Sequence, residues 1–229
     1  MARLSANQLA KYMVSSETAK IGIIAEAKQE GNAKSIRYKD AREAVKGYLT
    51  SPNRDRRIID AAINRFDQMS RDSTLTTFKR SDAQSSADAL RAFETLKNQL
   101  GGFEYFAAPQ RQPKLEIAGV EISTRLDLLI RREYREEKQV GGVIFRWTQA
   151  DDETEAAIAK RRDMGTYAAT LVHMHVGQHF AHSMAPAYPI CLSVDVQFGD
   201  VIAAPKTFSQ RAKNMENACR FISAIWDDI

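Results

Sequence analysis

The chain has 229 residues, 44% of them hydrophobic and 27% charged, which is ordinary for a globular protein with a substantial core. Its formal net charge of +4 at pH 7 permits binding to a polyanion without requiring it. The N-terminal sequence lacks the apolar segment of a signal peptide, no apolar run approaches the roughly 18 residues of a membrane span, and the two cysteines form no CxxC pair. We therefore expect a cytoplasmic protein with reduced thiols and no membrane partner.

The first part of the chain, residues 1–100, has the pattern of successive helices. Ser5 is a suitable N-cap for a first helix, and Asp40 is suitable for a later one. The segment "IIDAAINRF" carries apolar residues at the i, i+3 and i+4 spacing of one helix face. The last helical pattern breaks at the pair Gly101-Gly102, where we place the boundary of the helical region.

After this boundary the apolar residues alternate with a period of two, which is typical of β-strands. We expect strands at "VEISTRLDLLI" (120–130), "GGVIFRWTQ" (141–149) and "YPICLSVDVQF" (188–198), with "RREYREEKQV" (131–140) as a charged connection. Gly199-Asp200 is expected to turn the last strand into a hairpin with "VIAAP". Two helices, at about 152–176 and at 209–226, complete this half.

These elements predict an α/β fold in which a helical region, residues 1–100, wraps a short mixed β-sheet core, residues 101–229, that is itself flanked by helices. The two parts are expected to form one unit. No internal repeat or low-complexity tract is visible.

Asp127 is the most informative polar residue, because it interrupts a strand that is otherwise apolar on one face. One interpretation is a solvated residue of an edge strand, or an ion-pair partner of Arg125 or Arg146. The other is a carboxylate at a strand end that binds a hard cation such as Mg²⁺, which prefers carboxylates, water and phosphate oxygen. The sequence leaves both open.

The segments "LEIAGVEISTRLDLLIR" and "RRDMGTYAATLVHM", with a hydrophobic strand between them, resemble the RecB-type branch of the PD-(D/E)XK nuclease-like superfamily. The opening "RLSANQLAKYM" is similar to the start of that branch as well. The resemblance implies a restriction-endonuclease-like fold in which Asp127 is the first metal-binding acid. It also implies that Tyr167, with Arg162 or Asp163, belongs to the helix motif that follows the strands.

The second strand departs from this pattern, because "GGVIFRWTQ" lacks the acid and the lysine of a (D/E)-x-K motif. Its only cation is Arg146, which can hold a phosphate but is too basic to act as a general base. Glu94 is a candidate upstream acid, with a surface helix residue as the simpler interpretation. The acids at 151–153 are a further candidate source of metal ligands. The departure predicts a nuclease site that has been lost or relocated.

Several cations are candidates for contacts with a nucleic-acid backbone, namely Arg125, Arg146, Lys160, Arg161 and Arg162, together with Tyr167. Arg125 is predicted to share a strand face with Asp127. The segments "NRDRR" (53–57) and "AKSIRYKDAR" (33–42) are compatible with phosphate contacts, but they mix cations with acids, so a solvated helix face is the simpler interpretation.

All four histidines, His173, His175, His179 and His182, fall in "LVHMHVGQHFAH". On a helix His175, His179 and His182 would share one face, and His173 would lie on another. Gly177 and Pro186 also allow the helix to end near Val176, which would leave the later histidines in a loop. A metal site and a cluster beside phosphate or a partner both stay open.

Three functions follow in order of preference. The first is a protein with a PD-(D/E)XK-like fold that binds the DNA or RNA backbone and has a weak or degenerate Mg²⁺-dependent site. The second is an accessory subunit that docks a protein partner, for instance through the C-terminal segment "CRFISAIWDDI". The third is a metal-dependent enzyme centred on the histidines.

Overall fold

A computed structural model describes residues 1–29, 37–147 and 154–229. Within these ranges a short first strand is followed by five helices, five strands, a long helix, a two-strand hairpin and a last helix. The helices are α1 (Ala6–Met13), α2 (Glu17–Lys28), α3 (Lys39–Thr50), α4 (Arg57–Arg71), α5 (Thr77–Leu100), α6 (Glu155–His179) and α7 (Ser209–Ile225). The strands are β1 (Ala2–Ser5), β2 (Glu104–Ala107), β3 (Leu115–Ile117), β4 (Val120–Ser123), β5 (Leu128–Tyr134), β6 (Glu137–Arg146), β7 (Ala185–Asp195) and β8 (Asp200–Ala203).

The strands form two mixed sheets. The small sheet has the order β1-β4-β3, and its β1 runs parallel to β4. The large sheet has the order β2-β5-β6-β7-β8, in which only the central pair β6 and β7 is parallel. The predicted mixed α/β class, with a short sheet flanked by helices, is therefore confirmed.

Each face of the large sheet covers its own hydrophobic core. Alternation along β6 sends Val143 and Phe145 into a core shared with α3, α4 and α5, while Ile144 enters a core shared with α1, α2, α6, α7 and the small sheet. The helices of residues 1–100 thus divide between the two faces. The chain changes faces between α2 and α3.

The predicted single strand 120–130 is wrong, because the structure contains two strands there. Residues 120–123 pair with β1 and β3, whereas residues 128–131 pair with β2 and β6. Between them, the amide nitrogen and carbonyl oxygen of Leu126 are bonded by the side chain of Gln112 at 2.9 Å each. The alternating pattern runs through this break because the chain passes from one sheet directly into the other.

The predicted charged connection 131–140 is wrong as well, because it forms most of a hairpin between β5 and β6. Arg135 and Glu136 make the turn with φ of 50° and 67°. Positive φ at both central residues suits a two-residue hairpin turn, which usually contains Asn and Gly. Because Arg135 and Glu136 are neither Asn nor Gly, this turn was not expected from the sequence.

Other boundaries agree more closely. Ser5 caps α1 and forms a reciprocal capping box with Gln8, as its position predicted. The helix predicted to end near Val176 continues to His179. Asp40 lies in the first turn of α3, and the N-cap is instead Tyr38. The hairpin at Gly199 is confirmed, with φ of 72° at the glycine and β8 starting at the next residue.

Strands β1, β2 and β3 have no counterpart in the predicted elements, since each is only three or four residues long. In the described part of the chain, no helix has both the length and the apolar character needed to cross a bilayer.

Candidate functional site

The candidate site lies where the parallel strands β6 and β7 end, at the paired residues Arg146 and Asp195. We call this region the carboxyl edge, and it includes the start of β5 and the neighbouring parts of α3 and α6. The carboxyl ends of parallel strands are the usual location of ligand sites in open α/β sheets. Asp127 and Arg146, two of the residues singled out from the sequence, belong to this edge.

Asp127 is held just before β5 by contacts with the last part of β6. Its amide donates to the Val143 carbonyl at 2.8 Å, and its Oδ2 accepts the amide of Phe145, also at 2.8 Å. Arg42 of α3 places Nη1 3.4 Å from Asp127 Oδ1 and donates from Nη2 to the Phe145 carbonyl at 3.3 Å. The Asp127 side chain is only 4% exposed. The carboxylate therefore takes the place of a neighbouring strand at Phe145.

Burial raises the pKa of the Asp127 carboxyl, and this outweighs the lowering by Arg42 and by the Phe145 amide. The guanidinium is a permanent cation beside a desolvated acid. Arg42 thus supplies the charge compensation that a metal ion would supply at an open site.

The described residues do not fit a Mg²⁺ site at Asp127. One carboxylate oxygen is taken by a backbone amide and the other faces a guanidinium, whereas Mg²⁺ needs oxygen ligands and retained water. Glu94, the candidate second acid, pairs with Arg56 at 3.0 Å and Lys97 at 2.8 Å. Nowhere in the described ranges are three or more His, Cys, Asp or Glu side chains grouped to hold a metal. The acids at 151–153 lie outside the described residues.

Aromatic side chains occupy the strand segment that Asp127 contacts. The Phe145 and Trp147 rings lie 6.3 Å apart in an edge contact, and Trp147 stacks on Tyr38 at 5.7 Å. The hydroxyl of Tyr38 accepts a hydrogen bond from Gln197 at 3.0 Å. Tyr38, Phe145 and Trp147 are all buried, so a hydrophobic core stands beside the acid.

Arg146 forms a buried ion pair with Asp195. Nη2 of Arg146 lies 3.2 Å from Oδ2 of Asp195, and both side chains are 2% exposed. Burial raises the pKa of Asp195 and lowers that of Arg146, and the opposite charge of each partner counteracts these shifts. Gly165 of α6 covers the pair, since a Cβ there would come 3.1 Å from the Arg146 guanidinium. This packing leaves Arg146 without accessible surface for a phosphate.

The remaining cations predicted to bind nucleic acid differ in exposure. Arg125 and Lys160 are exposed, and Arg162 is exposed with a 3.5 Å ion pair to Asp200. Arg161 lies over the Phe198 ring at 3.8 Å. The predicted common strand face of Arg125 and Asp127 is wrong, because Arg125 is exposed, Asp127 is buried and neither belongs to a strand.

Tyr167, predicted to belong to the same surface, is 8% exposed in the interior and lies under Arg211 at 5.5 Å. The basic segment 53–57 is internally compensated. Arg57 pairs with Asp55 at 2.8 Å, and Arg54 donates to main-chain carbonyls of Leu100 and Phe103. In the segment 33–42, Lys34 lies outside the described residues.

The histidines occupy three different environments. His175 is fully buried, and its ring centroid lies 4.9 Å from that of His179 on the next turn of α6. His173 is on another face, 4.9 Å from the Phe208 ring. His182 follows the end of α6 and is exposed. The predicted separation of His173 is confirmed, whereas His182 does not continue the helical face.

Asp195 was not identified from the sequence, and Arg42 was noted only within the basic segment 33–42, not as a partner of Asp127. Asp195 carries a weak signal, since it interrupts the apolar run "ICLSVDV" and has the same position in β7 that Arg146 has in β6. Arg42 carries none, because it lies on an amphipathic helix far along the chain from Asp127. Only the packing of α3 against the sheet brings these two residues together.

The expected protein-docking segment, α7, has both buried and exposed apolar residues. Cys219 and Ile222 are buried, whereas Phe221 is 50% exposed. Phe221 borders a cleft of about 350 Å³ between α7 and the first two helices, lined also by Tyr12 and Met13. A partner on this surface stays a prediction.

Comparisons with family models, with curated proteins and with solved structures gave no match. The fold and the carboxyl edge define the chain as a mixed α/β protein in which two buried acids pair with arginines near the ends of the parallel strands.

Proposed function

We propose that this chain is a non-catalytic nucleic-acid-binding protein with a PD-(D/E)XK-like core, which contacts the DNA or RNA backbone at its carboxyl edge. The observation that carries the proposal is the arrangement of charge at this edge. Asp127 is buried beside the partly exposed Arg42, and Asp195 is buried together with Arg146, so neither acid is presented to a ligand. The accessible charges include cations that can meet phosphate.

Three cations are the proposed phosphate contacts. Arg125 and Lys160 are exposed, and the ion pair of Arg162 with Asp200 is long enough to be exchanged for a phosphate. Arg161 belongs to the same helix turn, where its guanidinium lies over Phe198. Arg146 and Tyr167 are not part of the proposed surface because they are buried.

Recognition at this surface is expected to be independent of base sequence. Tyr38 and Trp147, the aromatic rings of the edge, are 7% exposed each and stack on one another, so neither offers a free face to a base. Contacts from arginine and lysine to phosphate position a nucleic acid without reading its bases.

The absence of catalysis is proposed from the state of Asp127. Metal-assisted hydrolysis needs carboxylate oxygens that can coordinate the ion together with substrate and water. Here one oxygen bonds the Phe145 amide and the other faces Arg42. The Arg42 guanidinium lies 3.4 Å from this second oxygen, so a metal ion bound there would have to displace it.

The test is fluorescence anisotropy with mixed-sequence single- and double-stranded oligonucleotides at about 50 to 200 mM salt, where counterion release is readily resolved. The wild-type log–log salt slope is expected near −3, about −0.9 for each of three contacts on duplex DNA. Replacing Arg125, Lys160 and Arg162 together by Ala should bring the slope close to zero. Arg220→Ala, on α7, is the matched control and should leave it unchanged.

Absence of binding at the lowest salt would reject nucleic-acid recognition and favour the accessory-subunit function. Binding that survives the triple substitution would place the contact surface elsewhere. The non-catalytic part has its own test, incubation of plasmid and oligonucleotides with Mg²⁺ or Mn²⁺. Cleavage that Asp127→Asn abolishes would contradict it.

A further inference from the structure

The C-terminal end of α6 contains two contacting histidines, three of whose ring nitrogens are buried without a hydrogen-bond partner among the described residues. His175 is 0% exposed, and His179, one turn later, brings its ring centroid to 4.9 Å from that of His175. Both ring nitrogens of His175 and Nε2 of His179 are buried, and none is bonded to any group in the described parts of the chain. Buried polar atoms nearly always have a hydrogen-bond or metal partner. Three buried nitrogens without a partner, in two rings that touch, therefore indicate a ligand at this position.

We propose that His175 and His179 form a two-histidine chelate for a late first-row divalent transition-metal ion such as Zn²⁺, Co²⁺ or Ni²⁺. Histidines at i and i+4 share a helix face, and this spacing is the one by which a single helix offers two imidazoles to zinc. Imidazole nitrogen suits these metals, whereas Mg²⁺ prefers oxygen.

Two further properties of the site favour a cation. The α6 helix ends at His179, so the metal would lie beside the negative end of the helix dipole. Burial, and secondarily His179, lower the pKa of His175 to about 4, so this imidazole is unprotonated at neutral pH and its nitrogen lone pair is free for a metal.

The chelate is expected to bind metal without hydrolytic chemistry. No third His, Cys, Asp or Glu joins the two histidines within the described ranges, so water would complete the coordination. Val176 follows His175 at the position where helical zinc proteases carry their glutamate base. This inference is independent of nucleic-acid binding, because the carboxyl edge contributes no residue to it.

The other two histidines provide matched controls within ten residues of sequence. His173 contacts Phe208 from a different face of the helix, and His182 is exposed beyond the helix end. A metal that binds any accessible imidazole would be sensitive to these residues, whereas the proposed chelate would not.

The experiment titrates chelator-stripped full-length protein with Zn²⁺ by calorimetry and with Co²⁺ by visible absorption. We expect one equivalent to bind to the wild type. His179→Ala, which alters the less buried partner, should weaken binding by at least about tenfold, since even changes outside the ligand set commonly cost that much. His175→Gln should do the same, and His173→Ala and His182→Ala should bind like the wild type.

Circular dichroism of each variant establishes that it is folded before titration. The decisive comparison is His179→Ala with the wild type, because His179 is partly exposed and tolerates truncation more readily than His175. A loss of affinity smaller than tenfold in His179→Ala, or no binding by the wild type, would overturn the proposal.

Discussion

The carboxylate of Asp127 accepts a hydrogen bond from the amide of Phe145 at 2.8 Å. Through this bond the Asp127 side chain takes the place of a neighbouring strand. Arg42, which faces the same carboxylate, bonds the carbonyl of Phe145. The acid and the arginine together satisfy both main-chain polar groups of one strand residue. Asp127 is thereby a structural residue, which has measurable consequences for stability.

Asp127→Ala should lower the free energy of unfolding by about 1–3 kcal/mol, because it leaves the buried Phe145 amide without an acceptor. Asp127→Asn should cost clearly less, since the amide oxygen of Asn can still accept that hydrogen bond. Urea denaturation of the two variants measures the difference. Equal losses in the two variants would show that the charge, rather than the hydrogen bond, is what β6 requires.

The Arg146–Asp195 pair should show strong coupling between its partners. Arg146→Met or Asp195→Leu alone should cost about 3–5 kcal/mol, because each leaves an uncompensated buried charge. The double variant should cost much less than the sum of the two. A double-mutant cycle from denaturation data gives the coupling energy, and additive losses would contradict a direct interaction.

Gly141 should tolerate no side chain. A Cβ at this position would collide with the main-chain carbonyl of Ile190, at the irregularity in the pairing of β6 with β7. Gly141→Ala should therefore destabilise the protein by about 3 kcal/mol or more. Gly22→Ala on α2 is the matched control. A Cβ added at Gly22 would have no atom within 4 Å, so this substitution should stabilise the protein by up to about 1 kcal/mol.

Gly141→Ala and Gly22→Ala are compared by thermal and chemical denaturation. Similar melting temperatures for the two variants would mean that β6 and β7 can separate locally to admit the methyl group.

The free energy of unfolding should decrease as the pH is lowered, because of His175. Its pKa is about 4 in the folded chain, below the ordinary value for histidine, so the unfolded chain binds more protons between these two values. The part of the free energy of unfolding that depends on His175 is fully present above about pH 6.5. It is lost progressively as the pH falls toward 4, and the loss amounts to roughly 2–3 kcal/mol.

His175→Leu removes this titration, so its free energy of unfolding should change less between pH 7 and pH 4.5 than that of the wild type. Both proteins are measured with a chelator present, which keeps bound metal from contributing. If the free energy of unfolding changes with pH to the same extent in both proteins, titration of other groups dominates the loss of stability at low pH.

The alternation of apolar residues predicted where strands occur better than it predicted their partners. In 120–130 the even-numbered apolar residues stay buried across the passage from β4 to β5, although Val120 and Ile122 enter one core and Leu128 and Ile130 enter the other. Nothing in a period of two distinguishes one sheet from another. The hairpin at Arg135-Glu136 was missed because both turn residues have positive φ without being the Asn or Gly that usually signals such a turn.

The sequence identified Asp127 as unusual, but its two structural partners could not have been predicted from the sequence. One partner is a main-chain amide, which has no sequence signature, and the other is an arginine on a distant helix. Arg146 was assigned to the surface because isolated cations are usually exposed. Its burial depends on Asp195, which becomes its neighbour only when β6 and β7 pair in parallel.

Strand β1 pairs in parallel with β4, so that Ala2 lies opposite Val120 and Ser5 lies opposite Ser123. Strand β1 therefore leaves the ribosome long before β4, its parallel partner in the small sheet, has been synthesised. Closing so large a loop is entropically costly and slow. We expect the α3–α5 helices to assemble during translation, and the N-terminal segment to dock among the last elements.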